Sequence, residues 1–154
     1  IMKKSDILDQ LRAAKAAHVS WVQRAKMLIS GFKIGEDSIP VNSTECKFGK
    51  WFYSDAQKLN AMKTNPMECM NTIEQLHFQL HDIYMNIYKI YYDTKPSGFF
   101  SRLFGKKKKI TEDSKKLAAE YFFSMQEVSN KLVEEINRME RRIVAISDKE
   151  FEEI

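Results

Sequence analysis

Apolar residues recur at spacings of three and four over three long stretches of the chain. This spacing places them on one face of a helix and predicts three amphipathic helices, at about residues 4–30, 66–95 and 111–146. The residues predicted to be buried are Leu11, Ala14, His18, Trp21, Ala25 and Leu28 in the first helix; Met70, Ile73, His77, Leu80, Tyr84, Ile87 and Tyr91 in the second; and Leu117, Tyr121, Met125, Val128, Leu132, Ile136, Met139, Ile143 and Ile146 in the third.

Shorter helical segments are predicted between the first two long helices. Residues 46–53, CKFGKWFY, favour one or two helical turns, and Ser54 and Gln57 have the spacing of a capping box at the start of another short helix. Only 5 glycines and 3 prolines occur in 154 residues, which favours long helices over a turn-rich sandwich or barrel. We therefore expect an all-α protein, a four-helix bundle of three long helices plus short helical segments.

The length accommodates one domain, expected at residues 2–147, with a basic and aromatic insertion at about 95–111 and a C-terminal tail at 148–154. The net charge of +4 is concentrated in that insertion, and the remaining charges are mixed in sign, so we expect no nucleic-acid partner. The phenylalanines and lysines of the insertion would allow contact with an anionic membrane surface or a partner, although a solvated loop is favoured.

The two cysteines, Cys46 and Cys69, are too few for a disulfide framework in a chain of this length. No apolar run reaches the roughly 20 residues needed to span a bilayer. The opening residues lead directly into a charged helix, so we expect no secretory signal. We expect the natural protein to start at Met2, the second residue of the sequence. These features predict a cytoplasmic protein, in which Cys69 is a small buried apolar residue.

Histidines occupy positions where the apolar stripes call for an apolar residue. His18 does so in the first helix and His77 in the second, and His81 follows His77 by four residues, which puts both rings on one helix face. A single buried histidine is more often a hydrogen-bonded core residue than a ligand. With Cys46 at the start of a predicted helix, however, three imidazoles and one thiolate form a tetrahedral donor set that suits zinc. We therefore predict a Zn²⁺ site at His18, Cys46, His77 and His81.

Three motifs, in this order and spacing, resemble the chemoreceptor zinc-binding (CZB) domain, a bacterial cytoplasmic sensory module. They are a histidine followed three residues later by tryptophan (His18), Cys-x-Phe-Gly-x-Trp (residues 46–51) and His-x-x-x-His (residues 77–81). The resemblance covers about residues 10–94. It implies a four-helix bundle, often a homodimer, with an internal three-His, one-Cys zinc site. The aromatic residues that it implies around the metal are Trp21, Phe48 and Trp51.

The resemblance implies a sensory function, since CZB domains are usually attached to chemoreceptor segments or diguanylate cyclases. We expect zinc occupancy or Cys46 oxidation to alter helix packing and to signal to a partner, such as a chemotaxis or cyclic-dinucleotide signalling protein. Four protein ligands leave no coordination position for a substrate, so we expect no enzyme. A purely structural zinc site is the alternative. The chain contains no recognisable output domain, which leaves open a free-standing protein or a piece of a larger one.

Overall fold

A computed structural model of the chain describes residues 3–35, 39–40, 42–64, 66–92 and 110–154, and no strand occurs within these ranges. The helices are α1 (Lys4–Ile29), α2 (Lys47–Phe52), a 3₁₀ helix (Asp55–Ala61), α3 (Met67–Tyr91), α4 (Glu112–Ala145) and α5 (Asp148–Glu152). The predicted all-α class and the three long helices are confirmed. Most of the insertion at 95–111, with its proposed membrane or partner contact, lies outside the described residues.

Local sequence signals account for several helix ends. Helix α1 ends in a Schellman motif, in which Gly31 has a φ of 94° and the Phe32 N–H donates to the Met27 carbonyl at 3.0 Å. Helix α4 begins where the Thr111 hydroxyl oxygen accepts the Ser114 N–H at 3.1 Å. Both ends agree with the sequence prediction.

The predicted capping box at Ser54 and Gln57 is wrong. The Ser54 hydroxyl donates instead to the Lys50 carbonyl at 2.6 Å, and the Gln57 side-chain amide donates to the Phe52 carbonyl at 2.8 Å. Both side chains thus satisfy the C-terminal carbonyls of α2, and the segment that follows is a 3₁₀ helix without a side-chain cap.

Helix α4 packs against both α3 and α1. The end of α4 lies at the start of α3, where Arg142 forms an ion pair with Glu68 at 3.8 Å. It also lies at the start of α1, where Lys4 donates to the Val144 carbonyl at 3.1 Å. Helices α1 and α3 are therefore parallel to each other and antiparallel to α4. The chain between them carries α2, which packs against α1 and the 3₁₀ helix.

The buried stripes largely match the prediction, with one clear exception at the start of α4. Leu117 is 42% exposed, and the neighbouring Ala118 is fully buried instead. From Ala118 the buried face continues through Phe122 and Met125 at spacings of four and three. The helix therefore meets the core one residue later than the apolar pattern indicates.

Residues 148–154, which sequence analysis assigns to a tail, contain α5 and pack onto the bundle. Phe151 is 2% exposed and belongs to the hydrophobic core. The Glu150 carboxylate accepts the backbone N–H of Thr64 at 2.8 Å and its hydroxyl at 3.2 Å. This segment therefore fastens the loop that precedes α3. No helix in the described part of the chain is both long and apolar enough to cross a membrane.

Candidate metal centre

Four potential metal ligands converge in the interior from three different helices. His18 lies in α1, Cys46 is the N-cap residue of α2, and His77 and His81 lie one turn apart in α3. These residues are 0%, 2%, 3% and 4% exposed, respectively. One donor atom from each residue lies within 4.8 Å of all the others. The structure thus brings together the four residues that the sequence analysis selected, including the pair from α3 and the two from distant segments.

Two of the imidazoles are oriented by backbone carbonyls. His18 Nδ1 hydrogen-bonds to the Ala14 carbonyl, and His81 Nδ1 lies 2.9 Å from the Pro40 carbonyl. A carbonyl only accepts, so each Nδ1 carries the proton and each Nε2 presents a lone pair. His18 Nε2 is buried without a hydrogen-bond partner. Carbonyl-oriented imidazoles with an unprotonated second nitrogen are the form in which histidine binds a metal.

His77 lies at the centre of the donor set. Its Nε2 is 3.3 Å from Cys46 Sγ and 3.0 Å from His81 Nε2. Donors in tetrahedral contact with zinc are separated by about 3.3–3.6 Å, given Zn–N near 2.0–2.1 Å and Zn–S near 2.3 Å. The two measured distances lie within a few tenths of an ångström of that range. The donor types and their spacing therefore fit zinc.

His18 and His77 are held in the neutral form that a metal requires. Burial lowers the pKa of His18 to about 4; its hydrogen bond to Ala14 opposes this shift, and the nearby His81 adds to it. Burial, with smaller contributions from His18 and His81, lowers the pKa of His77 to about 2. At neutral pH neither imidazole is cationic, so a metal ion would meet no positive charge on either ring.

Cys46 is held by the first turn of α2. Its Sγ accepts the Gly49 N–H at 3.3 Å and lies at the same distance from the Ser43 carbonyl, to which the thiol donates. Burial raises the pKa of this thiol, and backbone hydrogen bonds from Gly49 and Phe48 act in the opposite direction. The protein without metal therefore favours the thiol, and a cation in the site would favour the thiolate.

Gly49 allows two backbone segments to approach each other beside Cys46. A Cβ at this position would lie 1.9 Å from the Ser43 carbonyl oxygen and 3.2 Å from the Thr44 Cα. Those atoms belong to the backbone and cannot rotate away as a side chain can. Gly49 is therefore required for close packing of α2 against the turn that positions Cys46.

Aromatic rings cover the donor set. The Trp21 ring meets His18 at a centroid distance of 4.4 Å and His81 at 5.4 Å, and Phe48 meets His77 at 5.0 Å. Trp51 contacts Phe48 at 5.9 Å and so lies one layer further out. The rings keep the surroundings of the donors apolar, which strengthens electrostatic interactions inside the site.

Sequence reasoning missed the carbonyls that orient the histidines. Ala14 precedes His18 by four residues, so helical spacing alone would have identified its carbonyl as a partner within reach. Pro40 lies 41 residues before His81 and carries no local signal for this contact. Cys69 is 1% exposed in α3 and is not a member of the donor cluster, as predicted.

A helical bundle with three imidazoles and one thiol facing one another in its interior belongs to the class of metal-binding α-helical proteins. Residues 18–88 match the sequence model of the chemoreceptor zinc-binding domain family. Residues 18–88 are therefore similar to this family, and the resemblance inferred from the motifs is confirmed over that stretch. The match begins at His18 and includes the other three donor residues. Domains of this family bind zinc. The family is regulatory and is not a known catalytic family. Comparisons with curated proteins and with solved structures gave no match.

Proposed function

We propose that this protein is a zinc-binding regulatory module in which His18, Cys46, His77 and His81 hold one Zn²⁺. The convergence of four buried donor atoms, each within 4.8 Å of the others, carries this proposal. Three imidazoles and one thiolate complete a four-coordinate zinc site. Such a site has no coordination position for a substrate or an activated water, so the module has no catalytic activity of its own.

The regulatory action depends on the separate origins of the ligands. Helices α1 and α3 both pack on α4. They also contact each other through the ring of His18, whose centroid lies 4.9 Å from that of His77 and 6.2 Å from that of His81. Shared coordination fixes these helices and Cys46 relative to one another. Oxidation of Cys46 to a sulfenic acid weakens its bond to the metal, and the helices then repack. A partner protein detects this change in helix packing.

The partner classes follow from the family. We propose that the module works in the cytoplasm, as a homodimer, and passes its signal to a chemotaxis or cyclic-dinucleotide signalling protein. A purely structural zinc site is the second candidate function. The almost complete burial of the four donor residues favours it, because a buried ion exchanges slowly with its surroundings.

The zinc content of the purified protein tests the ligand assignment. We expect about one zinc per chain in the wild type and a small fraction of that in Cys46→Ala and His77→Ala, since each removes one of four ligands. Cys69→Ala is the matched control, because Cys69 is equally buried and lies outside the donor cluster. Elemental analysis gives the stoichiometry. A reduced wild type that neither contains nor takes up zinc would contradict the proposal.

Treatment with one equivalent of oxidant at neutral pH separates the regulatory from the structural function. A regulatory site is expected to release most of its zinc within minutes, because the oxidised Cys46 sulfur is a poor ligand. A chromogenic chelator measures the release, and circular dichroism reports the accompanying change in the helices. Full retention of zinc by a protein whose Cys46 is intact after treatment would support the structural alternative. The Cys69→Ala variant shows whether the second thiol contributes.

A further inference from the structure

A groove of about 360 Å³ lies directly beside Cys46. One wall is the face of α1 that carries Ala13, Ala17 and Trp21, and the other is formed by Pro40, Cys46 and Phe48. We call this space the Cys46 groove. Alanine side chains form part of its walls, and their single methyl groups leave the space between α1 and α2 open. Gln10, Glu45 and Lys47 also line it.

The Cys46 groove lies on the Cys46 side of the donor set. Cys46 lines it, and the three histidines do not. Trp21 also lines it, and its ring contacts His18 at a centroid distance of 4.4 Å. A molecule inside the groove would therefore contact Cys46 and none of the histidines.

We propose that the Cys46 groove is the route by which zinc passes between the site and a small chelating molecule with nitrogen, oxygen or sulfur donors. This proposal rests on the proposed zinc function and describes how that site is loaded and emptied. Cys46 would be the first ligand that the chelator replaces, and its sulfur would keep both electrons of the bond to zinc. A donor atom of the chelator would take the place of the sulfur, which would take a proton from water.

The competing route is an opening of the chain between α1 and α3, in which α2 moves away from α1 and exposes the whole donor set. The two routes respond differently to a side chain placed in the groove. Filling the groove blocks the approach of a chelator but leaves α2 free to move. The rate of zinc transfer, rather than the affinity, therefore distinguishes them.

Groove-filling variants of α1 test the proposal. Ala17→Phe and Ala13→Phe place a ring in the groove, and Ala16→Phe is the matched control, since Ala16 is exposed and does not line the groove. All three substitutions replace alanine by phenylalanine within α1 and so carry the same cost in helix propensity. The zinc-loaded proteins are mixed with 4-(2-pyridylazo)resorcinol, and the transfer of zinc is followed by absorbance. We expect transfer to slow at least tenfold in the groove variants and to stay within twofold of wild type in the control.

A second readout does not need zinc. In zinc-free protein that also carries Cys69→Ala, the groove variants are expected to slow the reaction of Cys46 with iodoacetamide by a similar factor. Zinc content and circular dichroism verify folding, and Ala13→Leu replaces any phenylalanine variant that fails. Unchanged rates in both readouts would overturn the groove proposal while leaving zinc binding intact. A protein that binds no zinc would overturn the proposed function, and the alkylation rates would still test access to Cys46.

Discussion

Zinc-free protein is expected to melt about 10 °C or more below zinc-loaded protein. Without the ion, His18 Nε2 stays buried with no hydrogen-bond partner, and an unsatisfied buried polar atom costs about 1–3 kcal/mol. The link between α1 and α3 is lost as well. A combined loss of about 4 kcal/mol corresponds to roughly 8–16 °C for a domain of this size. Thermal melts with and without a chelator, followed by circular dichroism, measure the difference.

The zinc-free protein should lose further stability on the acid side of neutrality. The pKa of His18 is about 4 in the folded protein and near its ordinary 6.5 in the unfolded chain, so the unfolded chain binds the proton first as pH falls. The stability associated with neutral His18 is therefore complete above pH 6.5 and declines down to pH 4, by up to about 1.4 kcal/mol per unit. Urea titrations of His18→Gln should show a shallower decline over this window.

The melting experiment has its own contradicting outcome. Equal melting temperatures of the zinc-loaded and zinc-free proteins would show that the site adds nothing to stability.

Local patterns were sufficient to predict the three long helices and the four residues of the donor cluster. The end of the first helix near residue 30, the start of the last near residue 111 and the pairing of His77 with His81 each depend on residues a few positions apart, where helix geometry alone fixes the outcome. The zinc prediction extended further only because the donor types themselves are restrictive. Three histidines and a cysteine at helix faces and starts have few other reasons to lie in a core.

Contacts between distant segments could not be predicted in the same way. The Pro40 carbonyl orients His81, and Glu150 binds Thr64 across 86 positions of the chain, without a local pattern for either contact. Phe151 is a single apolar residue among charged neighbours, so periodicity gives no sign that it enters the core. The prediction that Leu117 is buried was wrong for a related reason. Packing against the other helices decides which face of α4 is buried.

Gly49→Ala is expected to weaken zinc binding at least tenfold and to destabilise the protein, although the same change usually stabilises a helix. An exposed helical glycine gains about 0.5–1 kcal/mol on replacement by alanine. Here the new Cβ would lie 1.9 Å from the Ser43 carbonyl oxygen, so the turn before α2 must move. Cys46 lies between Ser43 and Gly49 in the sequence. Movement of this turn is therefore expected to displace the Cys46 sulfur from the histidines.

The sign of the effect makes the Gly49→Ala experiment decisive. Zinc affinity is measured by competition with a chelator, and stability by thermal melts of the zinc-free protein. Lys47→Ala, at the first position of α2 and exposed, is the control for changes in helix propensity and should behave as wild type. Loss of affinity and of stability in Gly49→Ala alone would show that the close approach of α2 to the Ser43 backbone positions the metal ligand. A Gly49→Ala protein that is stabilised and binds zinc normally would show that the helix accommodates a side chain there and that Cys46 is held by other contacts.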